Sequence, residues 1–317
     1  MRGYLLRRLP SALLVLLVAS FVAFAVLRLV PGDPAAVLAG PDASPETEAA
    51  IRARLGLDAP LHTQYLRWIG DLLAGDLGPS YAIGGQTADL IAEGLGATVE
   101  LTLGALLFVV VLGGAFGILG ATSRNRWTVG AVRILTTAAL AVPPFVTGVL
   151  LVLLFSVVLG VLPPGGRVPL LTAPDLGVQY LVLPALCLAL PSAAVLGRYL
   201  KDGIERALAE DYVRTATAAG IAPRRLLWRH ALPNALPPVV TLLGMQTGHL
   251  LGGAVLVEAI FAWPGLGQLA EQALVRRDYP VVQDLLLLLV TVFVLVQLLT
   301  DLVHAWLDPR IRWEWPP

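Results

Sequence analysis

The sequence predicts an all-α, polytopic membrane protein: six transmembrane helices, both termini cytoplasmic, and a small extracytoplasmic helical segment after the first helix. Three observations carry this. Of the 317 residues, 57% are hydrophobic and only 14% charged, outside the usual range of soluble domains. Six stretches reach the roughly 20 apolar residues that a helix needs to cross a bilayer, where the backbone can pair only with itself. The basic residues also gather in alternate connections between those stretches, and basic connections are held on the cytoplasmic side.

The six stretches are 9–30, 97–121, 134–162, 180–196, 235–256 and 281–306. Arg7 and Arg8 precede the first, and an Ala-Phe-Ala near its end resembles a signal-peptidase site. Its apolar run exceeds the roughly 7 to 15 residues of a cleaved signal, so it reads as a retained span. Arg2, Arg7 and Arg8 before span 1, and Arg124, Arg126 and Arg133 between spans 2 and 3, mark cytoplasmic sides. The connection 31–96 holds nine acids against Arg52, Arg54 and Arg67, which places it outside.

Within that outer connection, Ser44 followed by Pro45 signals a helix start, and Glu46 and Glu48 suit the positive end of its dipole. A second helix over 64–74 gathers Tyr65, Trp68, Ile69, Leu72 and Leu73 on one face. A further short helix follows Pro264 and Gly265 and ends near Arg276.

The connection 198–234 carries seven basic residues and four acids, which sets it inside. Helix formers run from Glu205 to Ala219, with Tyr212, Ala216 and Ala219 on one side. Gly220 supplies a left-handed helix end, and Pro223 starts a new helix over about 223–232. Leu226, Leu227, His230 and Ala231 fall together there, leaving Arg224, Arg225 and Arg229 to water. A basic helical hairpin of this kind can lie on anionic headgroups of the inner leaflet, or dock as a rigid knob into a partner. The small residues Ala216, Ala218, Ala219 and Gly220 permit close backbone approach and favour docking.

Several chemistries are excluded. The balanced charge of zero points away from nucleic acid. Cys187 is the single cysteine, so neither an intrachain disulfide nor a zinc-thiolate cluster can form. Lys201, in RYLKDGI, is the single lysine and lies in no phosphate-binding loop, so any ATP must be held by another polypeptide. His62, His230, His249 and His304 form no metal-ligand spacing, and no nucleophile elbow occurs; no catalytic residue, metal or cofactor is expected. Polar residues within spans pair between helices or line a path. Gln246, Thr247 and His249 lie among glycines in span 5, and Gln297, Thr300 and Asp301 lie in span 6. Glu100 and Glu258 fall near outer span ends, where hydration is the simplest expectation.

The stretch around Gly220 resembles the cytoplasmic EAA loop of ATP-binding-cassette (ABC) importer permeases: Glu-Ala-Ala, three residues, Gly, nine residues, Ile, any residue, Leu-Pro. Aligned on Gly220, this chain reads Arg214, Thr215, Ala216, then His230, Leu232 and Pro233, with four of seven positions matching. Arg214 stands where the family has the glutamate that pairs with the ATPase, so that salt bridge is not carried over. DYVRTA, RRLLWRHAL and NAL at 211–236 are similar to the loop of dipeptide, oligopeptide and nickel importer permeases. So are RLVPGDP at 28–34, GDLGPSY at 75–81, ATVELTLGA at 97–105, the stretch 257–283, and LVHAWLDPRIR at 302–312.

The resemblance implies a first segment (1–96) followed by a permease core (97–317) whose 198–234 loop couples to the ATPases. It implies import of peptides or nickel-type solutes. The partners it implies are a second homologous permease, two ABC ATPase subunits and an extracytoplasmic solute-binding protein, all around a lipid bilayer. Asp211, Tyr212, Arg214, Thr215, Ala216, Ala219, Gly220, Arg224, Arg225, His230, Leu232 and Pro233 become the coupling residues, and Gln246 and His249 the pathway-lining candidates. A self-sufficient channel or secondary transporter is the rival; it needs an ionisable relay, for which the spans offer chiefly His249 and Asp301.

Overall fold

The computed structural model describes residues 2–29, 34–40 and 43–307, and is all-helical: no strand occurs among them. The helices are α1 (Arg2–Leu29), α2 (Pro34–Ala39), α3 (Pro45–Arg54), α4 (Leu61–Leu73), α5 (Thr87–Thr122), α6 (Arg126–Ala141) and α7 (Pro144–Leu151). They continue with α8 (Pro174–Ala209), α9 (Asp211–Ala218), α10 (Pro223–Leu226), α11 (Leu232–Ile260), α12 (Leu266–Val275) and α13 (Tyr279–Leu307). The side chains of Thr300, Asp301 and His304, and the whole of 308–317, lie outside the described residues.

Among the described residues five helices are long and apolar enough to cross a membrane, or six if one bent pair is counted as a single span. The pair is the expected third span, and it is not one rod. It breaks at Pro143 and Pro144 and turns by 116° between α6 and the segment 144–158. Two consecutive prolines remove two backbone donors, and a residue before proline is steered out of helical geometry. α5 and α8 have 36 residues each, about 54 Å at 1.5 Å per residue, so both outrun a hydrocarbon core of about 30 Å.

Contacts group the described residues into two units: those within 1–96 and 265–295, and those within 97–264 and 296–307. In the first unit, α4 turns its aromatic face onto α1. Tyr65 meets the Phe24 ring edge-on at 5.3 Å, Trp68 stacks on Phe24 at 6.3 Å, and the Ser20 and Tyr65 hydroxyls are 2.8 Å apart. Ser44 caps α3 as expected, accepting from the Thr47 N–H at 3.3 Å. α12 ends at Val275 with Arg276 as its cap, close to where it is expected to end. Asp278, fully buried between α12 and α13, fastens the loop 80–83 that leads into α5: its carboxylate accepts from the Ser80 hydroxyl and from the N–H groups of Tyr81, Ala82 and Ile83 at 3.1, 2.8 and 3.0 Å. Burial alone would raise this carboxyl's pKa, but those four donors bind its charged form and hold it below the usual aspartate value.

In the second unit α8 is the most enclosed span, packed by α6, α7 and α11. It also crosses α5 closely at Gly113 and Gly117, a small-xxx-small pair that lets backbones approach. A Cβ on Gly117 would stand 2.7 Å from the Leu200 Cβ, and one on Gly113 the same distance from Leu196 Cδ2. α5 and α11 leave broad apolar surfaces uncovered, including Leu103, Leu107, Val111, Met245 and Leu256.

Candidate functional site: a basic hairpin joined to a cavity-lining span

The hairpin is built from its capping residues. Glu210 takes an extended conformation, ends α8 and sets the start of α9, so the run of helix formers from Glu205 is broken there rather than continuous. α9 closes in a Schellman turn: Gly220 donates to the Thr217 carbonyl at 3.0 Å and Ile221 to the Ala216 carbonyl at 3.1 Å, with Gly220 at φ +80°. α10 follows at Pro223 and Leu226 is buried, as expected.

The second arm does not stop at Leu232. α10 passes through a π-helical turn, Leu227–Ala231, directly into α11, so that 223–260 is one long element. Pro233 accounts for the wide turn: it has no N–H for the Arg229 carbonyl, and its ring would strike that carbonyl in ordinary α geometry. Instead Leu232 donates five residues back, to Leu227.

The site residues sort by this framework. Val213 is the buried side chain of α9, while Asp211, Tyr212, Arg214, Thr215, Ala219 and Gly220 are exposed and Ala216 half-buried. The face carrying Tyr212, Ala216 and Ala219 is therefore largely exposed. Arg214 pairs with Asp211 at 3.2 Å on the open surface. Arg224, Arg225 and Arg229 are exposed; His230 and Leu232 are half-buried beside fully buried Ala231, and Pro233 is exposed. The Asn234 amide donates to the Tyr212 hydroxyl at 2.9 Å and ties the two arms together.

Farther along α11, Gln246 and His249 line one cavity of about 320 Å³ between α8 and α11. Gln246 is buried and His249 exposed. Sequence reasoning missed the facing wall, where Cys187, Pro191 and Ser192 come from α8. Ser192 is an ordinary-looking serine in an apolar run, and only the crossing of the two helices brings it opposite Gln246. From His230 to Gln246 the axis runs about 24 Å at 1.5 Å per residue, so hairpin and cavity share one rod.

Beyond the cavity the unit is clasped shut. Glu258, completely buried, accepts from the Thr98 hydroxyl at 2.6 Å, and the Trp263 indole donates to the Ala97 carbonyl at 2.9 Å. Glu100 takes both Nε and Nη2 of Arg167, at 2.9 and 2.5 Å, and the Leu170 N–H at 3.1 Å. Hydration was the expectation for Glu100 and Glu258. The structure corrects it, because the segment 159–173 folds back with Arg167 and Thr98 stands opposite Glu258.

Comparison with known proteins accords with this architecture. Residues 113–313 match the family described as binding-protein-dependent transport system inner membrane component, and residues 1–102 match its N-terminal family. The chain is 39% identical over 314 residues to the glutathione transport system permease protein GsiC of Salmonella paratyphi A, covering 99% of this chain and 100% of that one. It is 38% identical, with the same coverage, to GsiC of Escherichia coli strain K12. Among solved structures, the inward-facing MetNI methionine ABC transporter shares the fold with a TM-score of 0.57 at 20% identity, over 69% of this chain and 96% of that chain. An amino acid ABC transporter crystallised with histidines gives 0.54 at 17% identity, over 69% and 94%. A protein of this family performs no hydrolysis itself; a separate ATPase and a solute-binding protein work with it. The chain thus belongs to the binding-protein-dependent transport system inner membrane components, and is a multi-pass inner-membrane permease of a peptide-family ABC importer.

Proposed function

We propose that this permease pairs with a second, homologous permease and two ATPase subunits to import short peptides or nickel-type solutes, and that its 211–233 hairpin is the joint through which the ATPases drive it. The hairpin lies on the cytoplasmic side and the 31–96 segment on the outer side, in keeping with the distribution of arginines and acids. The relatives named for glutathione transport support a peptide-sized solute.

One observation carries the reading: 223–260 is a single element with exposed basic side chains at one end and Gln246 and His249 in a cavity wall farther along. Packed helices move as rigid bodies, so ATPase closure against Asp211, Tyr212, Thr215 and Ala216 would tilt the rod and change the width of the cavity. Arg214, Arg224 and Arg225 offer charge to an acidic cleft of the ATPase, in place of the family's glutamate.

Gly220→Pro tests the reading. Proline cannot adopt φ +80° and lacks the N–H that bonds Thr217. The variant is expected to insert in the membrane yet lose ATPase association or solute uptake. Normal uptake would remove the hairpin from the mechanism.

A further inference from the structure

The first unit holds a cavity of about 610 Å³, in addition to the one that Gln246 and His249 line. Its volume is that of small-molecule sites. Six ionisable residues line it, three basic and three acidic: Arg28, Arg52, Arg67, Asp71, Asp76 and Asp284.

Two walls are built differently. On the α13 side, Asp284 is only 3% exposed; its Oδ1 accepts from the Trp68 indole at 2.8 Å, while Oδ2 has no hydrogen-bond partner among the described residues. The Tyr279 hydroxyl, also buried in this wall, is equally unpartnered. Buried polar atoms without partners are costly and uncommon, and a carboxylate oxygen is among the costliest. Arg28, by contrast, is held by Gln64 and Gln283 at 3.1 and 3.2 Å and lies 3.7 Å over the Phe24 ring. On the α4 side, exposed Arg67 makes no hydrogen bond or ion pair among the described residues. Its Nη1 sits where a side chain on Gly56 would begin, 2.6 Å from that Cβ position, and Gly56 is at φ +65°. A side chain at Gly56 would therefore collide with the guanidinium as it is placed here.

A ligand of one sign would face both acidic and basic side chains here. A molecule with an amine at one end and a carboxylate at the other answers both walls. Its ammonium can donate to Asp284 Oδ2, and its carboxylate can take the planar fork of Arg67. Leu27, Leu57, Leu61 and the Trp68 ring supply apolar surface between them.

We propose that this cavity receives a short zwitterionic peptide, amino end toward Asp284 and carboxyl end toward Arg67. This rests on the peptide reading above and gives it a first binding station.

Calorimetry on the full chain in lipid nanodiscs tests it, with trialanine as probe and N-acetyl-trialanine and trialanine amide as singly blocked forms. Trialanine is expected to bind, and either block to weaken binding tenfold or more. Arg67→Gln should weaken trialanine to the same degree yet leave trialanine amide unchanged; Asp284→Asn, which keeps the Trp68 acceptor, should do likewise for the acetylated form. Gly56→Ala, which crowds Arg67, should weaken only peptides with a free carboxylate. No binding of trialanine at millimolar concentration, equal binding of free and blocked peptides, or indifference to both charge variants overturns the proposal. Uptake of trialanine by the complete importer without binding to the permease overturns the cavity alone; absence of any peptide uptake by that importer overturns the peptide reading as well.

Discussion

The Tyr212 hydroxyl accepts a hydrogen bond from Asn234 Nδ2 at 2.9 Å, and this contact links the first arm of the hairpin to the base of the span that follows its second arm. Both residues are exposed, so the bond adds little to global stability, about 1 kcal/mol or less. On the proposed reading its value lies in transmission. Tyr212→Phe is expected to leave expression and thermal midpoint unchanged while lowering the solute moved per ATP hydrolysed several-fold. Stoichiometry in reconstituted vesicles measures it, and an unchanged ratio would make the contact incidental.

Gly220→Ala separates backbone strain from steric conflict. Nothing lies within 4 Å of a Cβ at this position, so alanine meets only the left-handed conformation, which costs about 1–2 kcal/mol. Reduced but measurable uptake is expected, between wild type and Gly220→Pro. Identical behaviour of the alanine and proline variants would show that the Schellman turn is not what matters.

Asp278 gives the first unit an acid-sensitive fastening. Burial works against its charged form, but Ser80 and the N–H groups of Ala82, Ile83 and Tyr81 favour it more, so the folded pKa lies below the ordinary 3.8. A depressed carboxylate stabilises the fold fully above that ordinary value, and the contribution is lost as pH falls through the folded one. The 80–83 loop should stay protected from amide exchange at neutral and mildly acid pH and open only in stronger acid. Asp278→Asn should raise its exchange already at pH 7, since hydrogen bonds to a charged acceptor contribute about 1.5–3 kcal/mol each. Equal exchange in variant and wild type would deny the fastening.

Gly117→Val tests the crossing of α5 and α8. Leu200 stands within 2.7 Å of the new Cβ, and overpacking of this kind costs about 1–3 kcal/mol. A lowered thermal midpoint in detergent is expected, whereas Gly114→Val, with open space around it, should change little.

The spans, the Ser44 cap, the Gly220 turn and the end of α12 near Arg276 were legible because each rests on local chemistry: apolar length, a capping hydroxyl, a glycine at a helix end. The break at Pro143 and Pro144 was written in two residues, but its 116° angle depends on how α6 and α7 pack. Continuity through Leu227–Ala231 was hidden because Pro233 reads as a helix boundary, whereas a wide turn absorbs it. Ser192 opposite Gln246, Arg167 on Glu100, and Asp284 beside Trp68 were not legible at all. Each pair joins residues far apart in the chain, and no spacing rule reaches across such distances.

The most direct test of the account is whether the hairpin controls the cavity. In a Cys187→Ser background, which keeps a hydroxyl donor for the Pro144 carbonyl, Gln246→Cys places one reporter thiol on α11. Its labelling rate by a small polar thiol reagent is measured in the complete importer with and without trapped nucleotide. The account predicts a nucleotide-dependent rate that Gly220→Pro abolishes. A rate that responds to nucleotide equally in both proteins would contradict it.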